Sequence, residues 1–225
     1  MPETGSKISV QVSLSGFSFK ITGEENVSSP WLGAEKLFTE SAFRKAYDEV
    51  EISLLTPKVA LVPEIFFHPS DARGALAEVT AVADSDKVGS IPVPEYGAVL
   101  VYSNSIDESL SRLISQTVFL KDGSSVDVLP EMYYILRDLA GLREHNRIVA
   151  SYRDGYLFLA VAQDASLKLC NVFEAVDFTT AEYFIFLSLK NFQLNPEVST
   201  ICFRTPLSEE ERLSLYRYFK GVEEL

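Results

Sequence analysis

The sequence predicts an α/β protein with mixed sheets, built from one strand-rich plan used twice. Between Arg147 and Gln193, two apolar runs, Ile148 to Tyr152 and Tyr156 to Ala162, flank the polar corner Arg153-Asp154-Gly155. A third strand pattern, Leu167 to Phe173, comes next. An aromatic-rich helical stretch then runs from Ala181 to Phe192, opened by Thr179 and Glu182 at capping-box spacing. Ile8 to Tyr47 repeats that order of hairpin, extended piece and helical spacing, with a further strand after it. With 225 residues, 47% of them hydrophobic and 12% aromatic, the chain is long enough for one large domain or two small ones and can supply a real core. Two domains are expected, 1–125 and 126–225.

At the start of the chain, Ile8, Val10, Val12 and Leu14 alternate with polar residues, the period of a half-buried strand. Phe17, Phe19 and Ile21 continue the alternation after Ser15-Gly16, which makes a hairpin. Ala34, Phe38, Ala42 and Ala46 recur at helical intervals and predict a first helix over Ala34 to Tyr47. Val50 to Leu55 and Lys58 to Pro63 read as strands around Thr56-Pro57, since proline cannot donate to a ladder. Asp71 to Ala83 is alanine-rich and predicts a second helix, and Val88 to Val93 and Tyr96 to Tyr102 predict strands. Ser105 and Glu108 have capping-box spacing ahead of Leu110, Leu113 and Ile114, and Lys121-Asp122-Gly123 turns the chain.

Pro130 suits the first position of a helix, where its missing N–H is not needed. Met132, Ile135, Leu136 and Leu139 form one face of that helix, which Gly141 can close. Beyond the central unit, Asn195-Pro196 breaks the chain, Ser199 to Phe203 predicts a strand, and Ser208 with Glu211 opens a last helix. The core of the second half is expected to hold Phe158, Ala160, Leu169 or its alternating neighbours, Phe184 and Leu187.

Charge narrows the possible partners. Twenty Lys and Arg face 32 Asp and Glu, a net charge of −12, which speaks against binding to nucleic acid or to an anionic membrane surface, because both draw affinity from basic residues. The most apolar run, Tyr183 to Leu189, is far short of the roughly 20 residues that span a bilayer, so no membrane insertion is expected. Met1-Pro2-Glu3-Thr4 lacks a basic region ahead of an apolar stretch, and a cytoplasmic location is expected. Cys170 and Cys202 read as reduced core thiols, with a disulfide or a metal site as the alternatives. His68 and His145 read as loop histidines, each without a second His or a Cys at ligand spacing. Trp31 reads either as a residue at the core edge or as a surface anchor for a partner. No GxSxG, GxxxxGK[ST] or GxGxxG is present. No metal and no cofactor is expected.

The duplicated element order resembles the superfamily of actin, sugar kinases and the ATPase part of heat-shock chaperones, built from two ribonuclease-H-like domains. Three strings narrow the resemblance: Leu169-Cys170-Asn171-Val172-Phe173, Thr179-Thr180-Ala181-Glu182-Tyr183-Phe184 and Leu194-Asn195-Pro196-Glu197. With Gly16-Phe17-Ser18-Phe19 and Leu61-Val62-Pro63-Glu64, they look like an uncharacterised Bacteroidetes family with an actin-like fold related to PilM. The superfamily implies an Asp-x-Gly turn in each half, the Asp acting through a metal ion or its water and the Gly letting amides approach phosphate. Here Gln11 and Ser13 take those places in the first half, and Ser151 and Arg153 in the second.

A carboxylate is therefore missing from both turns, and no ATPase activity is expected. The candidate ligand-contacting residues are those of the two turns: Gln11, Ser13, Ser15 and Gly16, and Ser151, Arg153, Asp154 and Gly155. The resembled family brings no known activity, and the double loss favours a bacterial pseudo-ATPase, a non-catalytic actin-like scaffold or partner-binding protein with another protein as its partner. The alternative is a nucleotide-binding or phosphotransfer protein using Ser13, Ser15 and Arg153 in place of carboxylates.

Overall fold

The computed structural model describes residues 5–23, 26–103, 112, 114–124 and 126–225, and in it the opening alternation becomes a hairpin. Strands β1 (Lys7–Ser13) and β2 (Gly16–Thr22) pair antiparallel, with Val12 opposite Phe17 and Gln11 opposite Ser18. Period-2 alternation then puts Ile8, Val10 and Val12 on the core face and Ser9, Gln11 and Ser13 on the other. β3 (Val27–Ser28) joins β2, while β5 (Glu49–Leu54) and β10 (Val128–Pro130) extend the other side in parallel. A short parallel pair, β4 (Ala46–Tyr47) and β9 (Phe119–Leu120), lies apart from that sheet.

The second sheet repeats the first. It consists of β11 (Asn146–Arg153), β12 (Tyr156–Gln163), β13 (Ser166–Glu174), β14 (Thr200–Phe203) and β15 (Gly221–Glu224). In each sheet a three-stranded antiparallel meander gains two further strands beside and parallel to its first strand. Between β5 and β10 the chain inserts a third, antiparallel sheet of β6 (Val59–Pro63), β7 (Val88–Val93) and β8 (Ala98–Ser103), with helix α1 (Ala72–Ala77). Two compact units result. One takes its described residues from Met1–Leu55 and Asn104–Glu131, the other from Thr56–Ser103 and Met132–Leu225.

Three helices remain: α2 (Glu131–Gly141), α3 (Phe178–Asn191) and α4 (Glu209–Tyr216). Met132, Ile135, Leu136 and Leu139 of α2 are all fully buried, as their spacing predicts. α4 opens on the predicted capping box, in which Ser208 and Glu211 each accept the other's backbone N–H.

Several expectations are corrected. Ala34 to Tyr47 is not one helix but two 3-10 turns, Ala34–Lys36 and Ser41–Arg44. Leu37, Ala42 and Phe43 are buried there while Phe38 is exposed, and the Glu40 carboxylate accepts from Ala42 N to start the second turn. The helix expected over Asp71 to Ala83 ends at Ala77, and beyond it Asp86 takes hydrogen bonds from Ala83 N at 3.0 Å and Lys58 Nζ at 2.5 Å. α3 begins earlier than expected because its cap is Asp177, which accepts from Thr180 N and Oγ1 at 2.7 Å each, in place of Thr179 with Glu182. Its buried face is Ala181, Ile185, Ser188 and Leu189, which leaves Leu187 exposed. The capping box at Ser105 and Glu108, with Leu110 and Leu113, lies outside the described residues.

Both cysteines are free thiols, and burial pushes each up to about 12, so they carry no thiolate at neutral pH.

One surface carboxylate ties the start of β1 to a distant turn. Asp48 Oδ2 accepts from Lys121 Nζ at 2.7 Å, from Ser6 N at 2.7 Å and from Ser6 Oγ at 3.0 Å. The Lys121 hydrogen bond, then those from Ser6, hold its carboxyl below the ordinary value of 3.8. A depressed folded-state pKa contributes stability that is present above the unfolded value and lost as the pH falls through the folded one. The protection of the Ser6 amide, relative to its intrinsic exchange rate, should therefore fall only below the ordinary aspartate range, and Asp48→Asn should abolish that pH dependence. Protection that is identical at pH 3 and pH 6 would contradict this.

Candidate functional site

The two sets of candidate residues occupy equivalent hairpins, one in each unit. In the first, Leu14 and Ser15 form the two-residue link between Ser13 and Gly16. Ser15 N donates to Ser13 Oγ at 3.3 Å, and the two hydroxyls are 3.3 Å apart. Gly16 has φ +137°, and a Cβ built on it would stand 2.0 Å from Leu32 O. The chain needs that space itself, because Phe17 N donates to Leu32 O at 2.8 Å and Leu32 N to Phe17 O at 2.7 Å.

Gln11, the residue expected at the first turn's carboxylate position, has its amide engaged at both ends. Its Nε2 donates to Glu131 Oε1 at 2.8 Å, and its Oε1 accepts from Ser18 Oγ at 3.2 Å. All three residues are buried. Sequence reasoning missed Glu131. An acidic residue after Pro130 has an ordinary explanation as a partner of the helix dipole, and nothing in the local pattern marks it as buried opposite Gln11, 120 positions away.

The second hairpin turns on Asp154 at φ 53° and Gly155 at φ 77°, the left-handed pair that a tight two-residue link between twisted strands demands. Ser151 is fully buried, whereas Arg153 is half-buried with its Nε 3.6 Å from Asp154 Oδ1. Gly155 O accepts from Ala175 N at 2.7 Å, and the neighbouring Tyr152 N donates to Thr205 Oγ1 at 3.0 Å. The Tyr152 hydroxyl donates to Ala175 O at 3.2 Å. Burial raises its pKa, and the charges of Asp177 and Glu211 raise it further. Those two carboxylates cap the starts of α3 and α4, Glu211 as the capping box predicts and Asp177 without having been marked by the sequence. Free amides at a helix start can bind an anion, but here side chains of the chain itself already take amides at both starts.

Neither histidine adds chemistry to these turns. His145 is exposed, with Nδ1 2.8 Å from Asp164 Oδ1 and Nε2 3.2 Å from Gln163 Nε2. His68 is exposed after β6. Among the described residues no group of three or more His, Cys, Asp or Glu is placed to hold a metal ion.

A five-stranded mixed sheet made twice in one strand order, each with a tight hairpin between its first two strands, defines the actin-like fold. The chain belongs to the family described as protein of unknown function (DUF3822), which matches residues 3–222. A Bacteroides thetaiotaomicron protein described as having an actin-like ATPase fold and unknown function is similar over 99% of this chain and 91% of its own, with a TM-score of 0.65 at 17% identity. The cytoplasmic domain of EpsL, an inner membrane component of the Vibrio cholerae type II secretion system, matches 91% of this chain and 84% of its own at TM-score 0.50 and 14% identity. A chain of the PilM-PilN type IV pilus biogenesis complex matches 97% of this chain and 88% of its own at TM-score 0.51 and 12% identity. No curated protein matches the sequence.

Proposed function

We propose that this chain is a non-catalytic actin-like protein that works by binding another protein. The observation that carries the proposal is the buried Gln11 amide. It occupies the first carboxylate position, is neutral, and spends its hydrogen bonds on Glu131 and Ser18. Ser151 repeats the loss at the second turn, and the carboxylates of Asp177 and Glu211 beside Tyr152 would oppose a polyphosphate there. The PilM-PilN complex and the EpsL domain are relatives in fold that belong to assembled machines, which supports a partner-binding role. The reading places the protein in the bacterial cytoplasm, the side of the membrane on which the EpsL domain lies.

A thermal-shift series with Mg-ATP and Mg-ADP tests it. A ligand at 100 times its dissociation constant stabilises a protein by about 2.7 kcal/mol, a plain upward shift. No shift at millimolar nucleotide is expected. A shift that Arg153→Ala removes would favour the alternative of a nucleotide site built from Ser13, Ser15 and Arg153.

A further inference from the structure

The two helices on the second sheet form a face with opposite charge at its two ends. Ile185 and Leu189 of α3, and Leu215 of α4 with Phe219 just after it, share one core cluster with Ile148, Leu157 and Ile201, so both helices cover the same side of the sheet. They run in the same direction. At their starts, Tyr152 reaches Ala175 ahead of α3 through its hydroxyl and Thr205 ahead of α4 through its backbone N–H. At their ends, the Phe186 ring lies 4.9 Å from that of Tyr218 and 5.7 Å from that of Phe219.

The starting end exposes Glu174, Asp177, Glu209 and Glu210. The other end exposes Lys190, Arg217 and Lys220, none of which makes an ion pair among the described residues. That end stays net positive even with Glu197 of the next turn counted, since Glu223 alternates with the core residue Val222 and so faces the other side of the sheet. Between the ends Tyr183 is 60% exposed and Leu213 58%, and close to the second end Tyr218 is 52% exposed and Tyr216 48%.

We propose that this face docks a second copy of the chain, antiparallel about a two-fold axis, so that the acidic end of each covers the basic end of the other and the tyrosines are buried between them. A two-fold interface brings one patch onto itself. A patch of a single sign would repel its copy, whereas a patch with opposite signs at its ends is complementary to itself when reversed. A uniformly basic or acidic partner would satisfy one end and meet like charge at the other. Tyrosine-rich, partly apolar surface is the composition that such contacts bury.

The test is the mass of the full chain in solution, by sedimentation equilibrium and light scattering, at low and high salt. The expected result is a dimer whose dissociation constant rises with ionic strength. K190E/R217E makes both ends acidic and E174K/E209K/E210K makes both ends basic, so each should weaken its own dimer by about 100-fold or more, on the scale of close interfacial charge pairs. An equimolar mixture of the two should restore a heterodimer, because the ends are then complementary in both positions. Circular dichroism melts check that each variant is folded. A wild-type chain that stays monomeric, variants that dimerise like the wild type, or a mixture that does not restore the dimer would each overturn the proposal. No nucleotide enters this experiment, so its failure leaves the non-catalytic reading standing.

Discussion

Gly16→Ala should destabilise the protein by on the order of 3 kcal/mol or more, the scale of combined backbone strain and steric conflict. The φ of +137° is already one that side-chain-bearing residues rarely adopt, and the added Cβ would lie 2.0 Å from Leu32 O, 2.9 Å from Leu32 C and 3.0 Å from Gly33 Cα. None of those atoms is the free end of a flexible side chain. Leu32 cannot retreat without breaking its two backbone hydrogen bonds to Phe17, whose own side chain is fully buried against Phe43 at 5.2 Å. Gly97 is the control. Its φ is +56° with nothing within 4 Å of a built Cβ, so Gly97→Ala should cost only about 1 kcal/mol, the left-handed backbone penalty alone. Urea unfolding of the two variants compares them, and equal midpoints would contradict the account.

Phe203→Ala should cost about 3–5 kcal/mol, the usual result of deleting a buried aromatic ring. Phe203 is fully buried at the end of β14, in the cluster that holds Ile148, Leu157, Ile185 and Leu215, with the Phe178 ring 6.2 Å away. Losing the ring leaves a cavity between the sheet and both covering helices. Phe184 has the same side chain but a different environment. It is half-buried and stacks on Phe173 at 4.7 Å, so Phe184→Ala should cost nearer 1–2 kcal/mol, the part of a transfer free energy that a half-exposed ring retains. A urea midpoint for Phe203→Ala no lower than that for Phe184→Ala would contradict this ranking.

The strands whose side chains alternate, and the helices whose apolar residues fall on one stripe, could be read from the sequence. The β1–β2 and β11–β12 hairpins and helix α2 follow from local periodicity alone, because each buries one face and exposes or covers the other by a fixed rule. β10 and β15 were missed because they are three and four residues long and are held by parallel neighbours remote in sequence, β5 and β14. Neither leaves a period to detect. Residues 34 to 47 misled for the opposite reason, since spaced alanines imitate a helix while Leu37, Ala42 and Phe43 meet the core from two separate turns. The neutral residues of the two turns were legible as residue types. Their surroundings were not. That Glu131 holds Gln11, or that Leu32 fills the space above Gly16, depends on contacts between distant segments that no local spacing encodes.

The central claim is that neither turn holds a metal-bound triphosphate, and calorimetric titration with Mg-ATP and Mg-ADP tests it most directly. The superfamily relies on carboxylates to hold the hydrated metal, and Gln11 and Ser151 offer only neutral dipoles within a chain of net charge −12. The account predicts no saturable heat up to millimolar nucleotide. Saturable binding tighter than about 0.1 mM, worth roughly 5.5 kcal/mol, and lost on Arg153→Ala, would contradict it.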